Sequence, residues 1–139
     1  MPIIIPDPDP PGVTPVMRDF ELAIQRRATR WFIAWQPYDV ILVPKVKVKS
    51  GSGTKETDGT PRPVQRMRLI PQAETQPPTP LNNGGVERVA DFVLLGEYDC
   101  EMQIGDHWRD SLGFLYEIFD VTATNGYEVK GLVEKHGAV

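Results

Sequence analysis

Residues 90–136, ADFVLLGEYDCEMQIGDHWRDSLGFLYEIFDVTATNGYEVKGLVEKH, hold two strong strand-forming runs, Leu112–Thr122 and Tyr127–His136, separated by Asn125-Gly126. Asn and Gly tolerate positive φ, which a two-residue type I′ turn needs at both central positions, so the spacing predicts a β-hairpin. In the second run Tyr127, Val129, Gly131, Val133 and Lys135 share one face, and Glu128, Lys130, Leu132, Glu134 and His136 the other. That pattern is nearer period 2 than 3.6. In the first run Leu115, Glu117, Phe119 and Val121 alternate with Phe114, Tyr116 and Ile118. A strand apolar on both faces is buried on one side and covered on the other, by a helix or a neighbouring subunit. Val89–Gly96 is a third strand, and Ile104-Gly105-Asp106 a tight turn into His107-Trp108, with the Asp106 carboxylate accepting from nearby amides. The expected fold class is mainly β with one helix (α+β). It is a small antiparallel β-barrel or sandwich with an N-terminal helix, a long protruding hairpin and an extended N-terminal arm.

The chain has 139 residues, long enough for one domain with a core, and its 14 prolines and 12 glycines fall mostly outside the strand runs. The expected division is an extended arm over 1–16 and a single β-barrel domain over 17–139, with a basic hairpin at 45–68 and a linker at 71–85. No apolar run approaches the ~20 residues of a membrane span, and the opening MPIIIPDPDPP lacks the basic and apolar regions of a secretory signal. Cys100 is the only cysteine, so no internal disulfide forms.

Upstream of the quoted stretch, Met1–Val16 is proline-rich and extended. Its Ile3-Ile4-Ile5 suits a strand added to another sheet edge, or is a disordered terminus. Thr14-Pro15 has the form of a helix start, and Pro37 closes the helix after Gln36, which predicts a helix over Pro15–Trp35. Phe20, Ile24, Ala28, Trp31 and Trp35 form a stripe at helical spacing, expected to lie on the sheet as core. Trp31, Ile33 and Trp35 also alternate, so a strand there stays open. Trp31, Phe32, Phe92, Leu94, Phe119, Val121 and Leu132 are the expected core.

Val40–Val48 and Val64–Ile70 are expected to pair as the two strands of a protruding hairpin around the loop Ser50–Pro63. Lys45–Arg68 carries seven basic and two acidic residues, a net +5, whereas Leu69–Val139 carries four basic and twelve acidic, a net −8. A basic arm built on Lys45, Lys47, Lys49, Lys55, Arg62, Arg66 and Arg68 therefore faces an acidic body bearing Glu97, Asp99, Glu101, Asp106 and Asp110. The arm's partner is nucleic acid or the acidic body of an identical neighbour.

No metal-ligand spacing, nucleophile elbow, P-loop or dinucleotide-binding glycine pattern is present. The expectation is a protein that is not an enzyme and takes no cofactor and no metal.

The order RWFIAWQPYDVILVP, a long polar loop, MRLIP, a Pro/Gly linker, GVERVADFVLLGEYD, IGD and a final hairpin with YEVKGLVEKHG resembles the head-to-tail stopper (head-closure) proteins of long-tailed bacteriophages, in particular those of actinobacterial hosts. The resemblance covers roughly residues 30–137. It implies a small barrel with a helix, and a homo-oligomeric ring of six subunits in preference to twelve. It places the ring in the virion, assembled in the host cytoplasm, with a head–tail adaptor above and the tail terminator or tail tube below. Packaged double-stranded DNA passes through the channel, and there is no membrane. A tail terminator or another connector ring is the neighbouring alternative. A nucleic-acid-binding β-barrel using Lys45, Lys47, Lys49, Arg66 and Arg68 is the alternative of a different class.

Overall fold

Alternating sequence produces strands here because one face of each run is apolar enough to close on an interior. The computed structural model describes residues 15–72 and 89–138. It contains helix α1 (Pro15–Trp35) and strands β1 (Tyr38–Val40), β2 (Lys45–Ser50), β3 (Gly53–Asp58), β4 (Gln65–Pro71), β5 (Phe92–Glu97), β6 (His107–Arg109), β7 (Phe114–Thr122) and β8 (Glu128–Ala138). Six of these form one antiparallel sheet in the order β1-β4-β5-β8-β7-β6, and among the described residues β2 pairs only with β3. The sheet's two edges meet where Val43 and His107 exchange both backbone hydrogen bonds, at 2.9 and 3.0 Å. The result is the expected mainly-β fold with one helix, as a nearly closed antiparallel barrel. The expected arm before Pro15, the Thr14 cap and residues 73–88 of the linker lie outside the described residues. Pro71 itself ends β4.

The interior follows the predicted inward parity of the last strand: Val129, Gly131 and Val133 are buried. Leu42, Met67, Leu94, Ile118 and Val133 meet at the centre. Trp108 stacks on Tyr116 at 5.1 Å, and its Nε1 donates to the Tyr38 hydroxyl at 2.9 Å. In β7 the register against β8 shifts between Ile118 and Asp120, leaving Phe119 as the extra residue. A bulge of this kind lets both parities of one strand be buried, which accounts for a run apolar on both faces. Of the expected core, Leu94 and Phe119 are buried, and Phe92, Val121 and Leu132 are partly so.

Three local expectations need correction. The β7–β8 connection is not a two-residue type I′ turn. Only Gly126 has positive φ (79°), and the Asn125 side-chain oxygen instead accepts from the amides of Tyr127 and Glu128, both at 3.0 Å. Second, Val40–Val48 is not one strand; the chain breaks at Pro44 between β1 and β2, where a proline has no amide to continue a ladder. Third, Trp31 and Phe32 are not core, and neither is the aromatic stripe of α1.

The helix has the predicted bounds, but it docks through the opposite face. Leu22 and Arg26 are partly buried, Thr29 and Ile33 fully. The surface offered to it by the end of β5 and the β7–β8 turn is polar, and arginine suits it better than tryptophan. Arg26 lies 3.6 Å over the Tyr98 ring and donates to the Gly126 carbonyl at 3.0 Å. Arg30 pairs with Glu97 at 3.0 Å. From β4, Arg68 stacks on Phe32 at 3.8 Å and donates to its carbonyl at 3.0 Å. Such planar cations bind both ring faces and carbonyl or carboxylate oxygens.

Candidate functional site

The seam that closes the barrel also carries the feature projecting from it. The chain leaves the barrel at Pro44 and returns at Gly59, whose amide donates to the Pro44 carbonyl at 2.7 Å. Between them β2 and β3 form a two-stranded hairpin in which every residue is exposed. Its turn is Gly51-Ser52, with φ of 58° at Gly51 alone, which is the glycine-first pattern of a type II′ turn. Two anchors hold its base to the seam. Lys45 pairs with Glu117 of β7, a contact that raises the lysine's pKa through the hydrogen bond. Asp58 meets His107 Nε2 at 3.0 Å.

Cross-strand register decides the hairpin's electrostatics. Lys45 lies opposite Asp58 and Lys47 opposite Glu56, while Lys49 faces Thr54 and Val48 faces Lys55. Opposite charges on directly facing positions partly neutralise each other. The lysine face is therefore mixed in charge rather than uniformly basic, and Val46 and Val48 form an exposed apolar strip on the other face.

The remaining predicted basic residues are not on this hairpin. The expected returning strand is β4, which pairs with β1 and β5 inside the barrel sheet. Arg66 there pairs with Asp39 at 3.2 Å, and Arg68 holds Phe32. Arg62 donates from Nε and Nη2 to the two Asp106 oxygens at 2.9 and 3.1 Å, and its amide donates to the Leu42 carbonyl at 2.8 Å. The segment Lys45–Asp58 keeps four lysines against two acids, a net +2 in place of the +5 of the linear count.

The predicted acidic face is also divided. Asp106 is buried, because its carboxylate accepts from Arg62 and from the Gln103 amide at 3.0 Å. Asp110 is drawn into the β6–β7 turn, where it accepts from the amides of Leu112 and Phe114 and from the Tyr116 hydroxyl. Burial pushes its carboxyl upward, but these three donors outweigh that and hold it below its ordinary value. Tyr116 is pushed up to about 12, by burial first and then by donating to Asp110. Glu97 is partly buried and paired with Arg30. Asp99 and Glu101 stay exposed, with Glu101 3.9 Å from Arg62. Among the described residues no group of three His, Cys, Asp or Glu is placed to hold a metal, and no helix is long and apolar enough to cross a membrane.

Two surfaces escaped the sequence reading. One is a groove of about 530 Å³ beside Tyr38, Trp108 and Asp110. The other is the solvent-facing aromatic side of α1, whose only signal was the arginine content of the opposite face. No protein family, no curated protein and no solved structure matches this chain.

Proposed function

We propose that this chain is a non-enzymatic structural protein of the phage head–tail connector, a stopper that forms a ring below portal and adaptor, retains packaged DNA and presents a docking face to the tail. The resemblance in segment order supports it, together with a small barrel of the implied kind. The observation that carries the reading is the hairpin Lys45–Asp58, which stands off the barrel seam exposed, with both outer edges unpaired among the described residues. A two-stranded hairpin is marginal in water by itself, and unpaired edges are templates for another chain. A ring needs heterologous contacts, one face meeting a different face of the next subunit, and a projecting hairpin against a neighbouring barrel supplies such a pair.

The lysine–acid facing in the hairpin favours a protein surface over duplex DNA, since phosphate binding grows with uncompensated cations. The hairpin also lacks the aromatic residues on which single strands stack. To test the reading, residues 46–57 are replaced by a short turn and both forms are examined by mass measurement and negative-stain microscopy, alone and with portal–adaptor complexes. The expected result is rings from the natural chain and a folded, ringless variant. Rings from the variant remove the hairpin's role, and no ring from the natural chain under either condition overturns the connector reading. A salt-dependent DNA shift by the isolated protein that is lost in the variant favours the nucleic-acid-binding barrel instead.

A further inference from the structure

The helix α1 turns its most apolar side away from the barrel. Phe20 is 67% exposed, Ile24 52%, Trp31 67% and Trp35 74%, and all four fall on one side of the helix, opposite the docked residues Leu22, Arg26, Thr29 and Ile33. Trp31 and Trp35 contact each other at 5.8 Å between ring centroids. A contiguous aromatic stripe of this kind on a monomer marks an interaction surface.

We propose that a second copy of this chain covers the stripe, through a twofold antiparallel pairing of α1 with α1. The argument is in the spacing. An isologous contact requires that if residue i meets residue j, then j meets i. Phe20, Ile24, Trp31 and Trp35 are separated by four, seven and four residues, a sequence of intervals that is the same in both directions. Placed antiparallel about an axis beside Arg27 and Ala28, Phe20 meets the second copy's Trp35 and Ile24 meets its Trp31, twice over. Small Ala28 at the axis lets the helices approach to the ~8–10 Å of ordinary helix packing. Area agrees. With aromatic side chains carrying ~150–250 Å² each, the stripe offers roughly 600 Å² per copy. The pair then buries about 1,200 Å² in total, the lower bound of a specific interface.

This contact uses α1 and not the hairpin, and it does not rest on the connector reading. A contact made of aromatic and aliphatic groups holds as salt rises, whereas one made of lysines against acids weakens. The two readings therefore fail separately.

The test uses the full chain with Cys100→Ser, carrying Phe20→Cys or Trp35→Cys singly. Mixed and oxidised, the two variants are expected to cross-link to each other and neither to itself; Ile24→Cys with Trp31→Cys behaves likewise. In the absence of portal–adaptor complexes, sedimentation of the natural chain is expected to show a concentration-dependent dimer, unchanged by salt, and Trp31→Glu is expected to abolish it while circular dichroism stays that of the folded barrel. A monomer at all concentrations overturns the proposal, as does a Phe20→Cys variant that cross-links to itself. So does association that rises when residues 1–14 are removed, which would assign the stripe to this chain's own N-terminal residues. A cyclic assembly lost with Trp31→Glu but lacking the mixed cross-link would assign it to a rotational contact and also overturn the twofold.

Discussion

At the scale of single residues, two close approaches and the buried Asp106–Arg62 pair shape the barrel. A Cβ at Gly131 would lie 2.6 Å from Met102 Sδ, and one at Gly96 2.5 Å from Cys100 Sγ. These glycines admit sulfur-bearing side chains from the connection between β5 and β6. Gly131→Ala is expected to cost about 1–3 kcal/mol in urea unfolding, the range for overpacking. The cost should shrink in a Met102→Ala background, because the two positions share one space. Arg62→Ala leaves the buried Asp106 carboxylate without its cation and is expected to cost about 3 kcal/mol, less when combined with Asp106→Asn. Cys100 follows from the same packing. Burial, then the neighbouring Asp99 charge, raises its thiol from 9.0 to about 12. The unfolded thiol ionises first, so its contribution to stability is complete below about 9 and is lost as pH rises towards 12. Alkylation at mildly alkaline pH should be much slower in the native protein than in urea, and equal rates would place the thiol outside the packed connection.

At the scale of elements, what was legible was what local pattern controls. Period 2 located β8, apolar runs located β5 and β7, and the Thr14–Pro37 punctuation bracketed α1. The pairing of β2 was not legible. Gly53, Lys55, Glu56 and Asp58 have little strand preference of their own and become β3 only because they face Ser50, Val48, Lys47 and Lys45. The apolar run at Val64–Ile70 was the better local candidate, and the barrel claimed it as β4. The helix orientation was misjudged because burial was assumed to follow hydrophobicity, whereas the surface under α1 combines apolar Ile70 and Leu95 with Glu97, the Tyr98 ring and the Gly126 carbonyl, which Arg26 and Arg30 serve. The same misreading dispersed the candidate site: Arg62, Arg66 and Arg68 belong to the barrel. Truncation separates the two helix faces. Ile33→Ala is expected to cost about 2–5 kcal/mol as a buried cut. Trp31→Ala should cost under about 0.5 kcal/mol in the monomer, and thermal melts at low concentration distinguish the two. A large loss from Trp31→Ala there would mean that the stripe faces the barrel.

For the whole molecule, the barrel's acid sensitivity has an identifiable contributor. The folded Asp110 carboxyl titrates below its ordinary value. Its contribution is present above the unfolded pKa and is lost as pH falls through the lower folded one. Asp110→Asn is expected to flatten stability against pH across the acid limb and to leave the neutral-to-alkaline range less affected, as read by urea midpoints at stepped pH. An unchanged acid limb would remove Asp110 as a contributor.

The hydrogen bond that joins Gly59 to Pro44 means that the chain steps off the barrel and back on at one point. Topologically the hairpin is a side branch, so its length and sequence are free to drift without any change in strand order or shear. Such a site is a natural port for grafting. A foreign hairpin, epitope tag or binding loop spliced between these two residues would be displayed by an intact barrel, with loss of any contact that the natural hairpin makes.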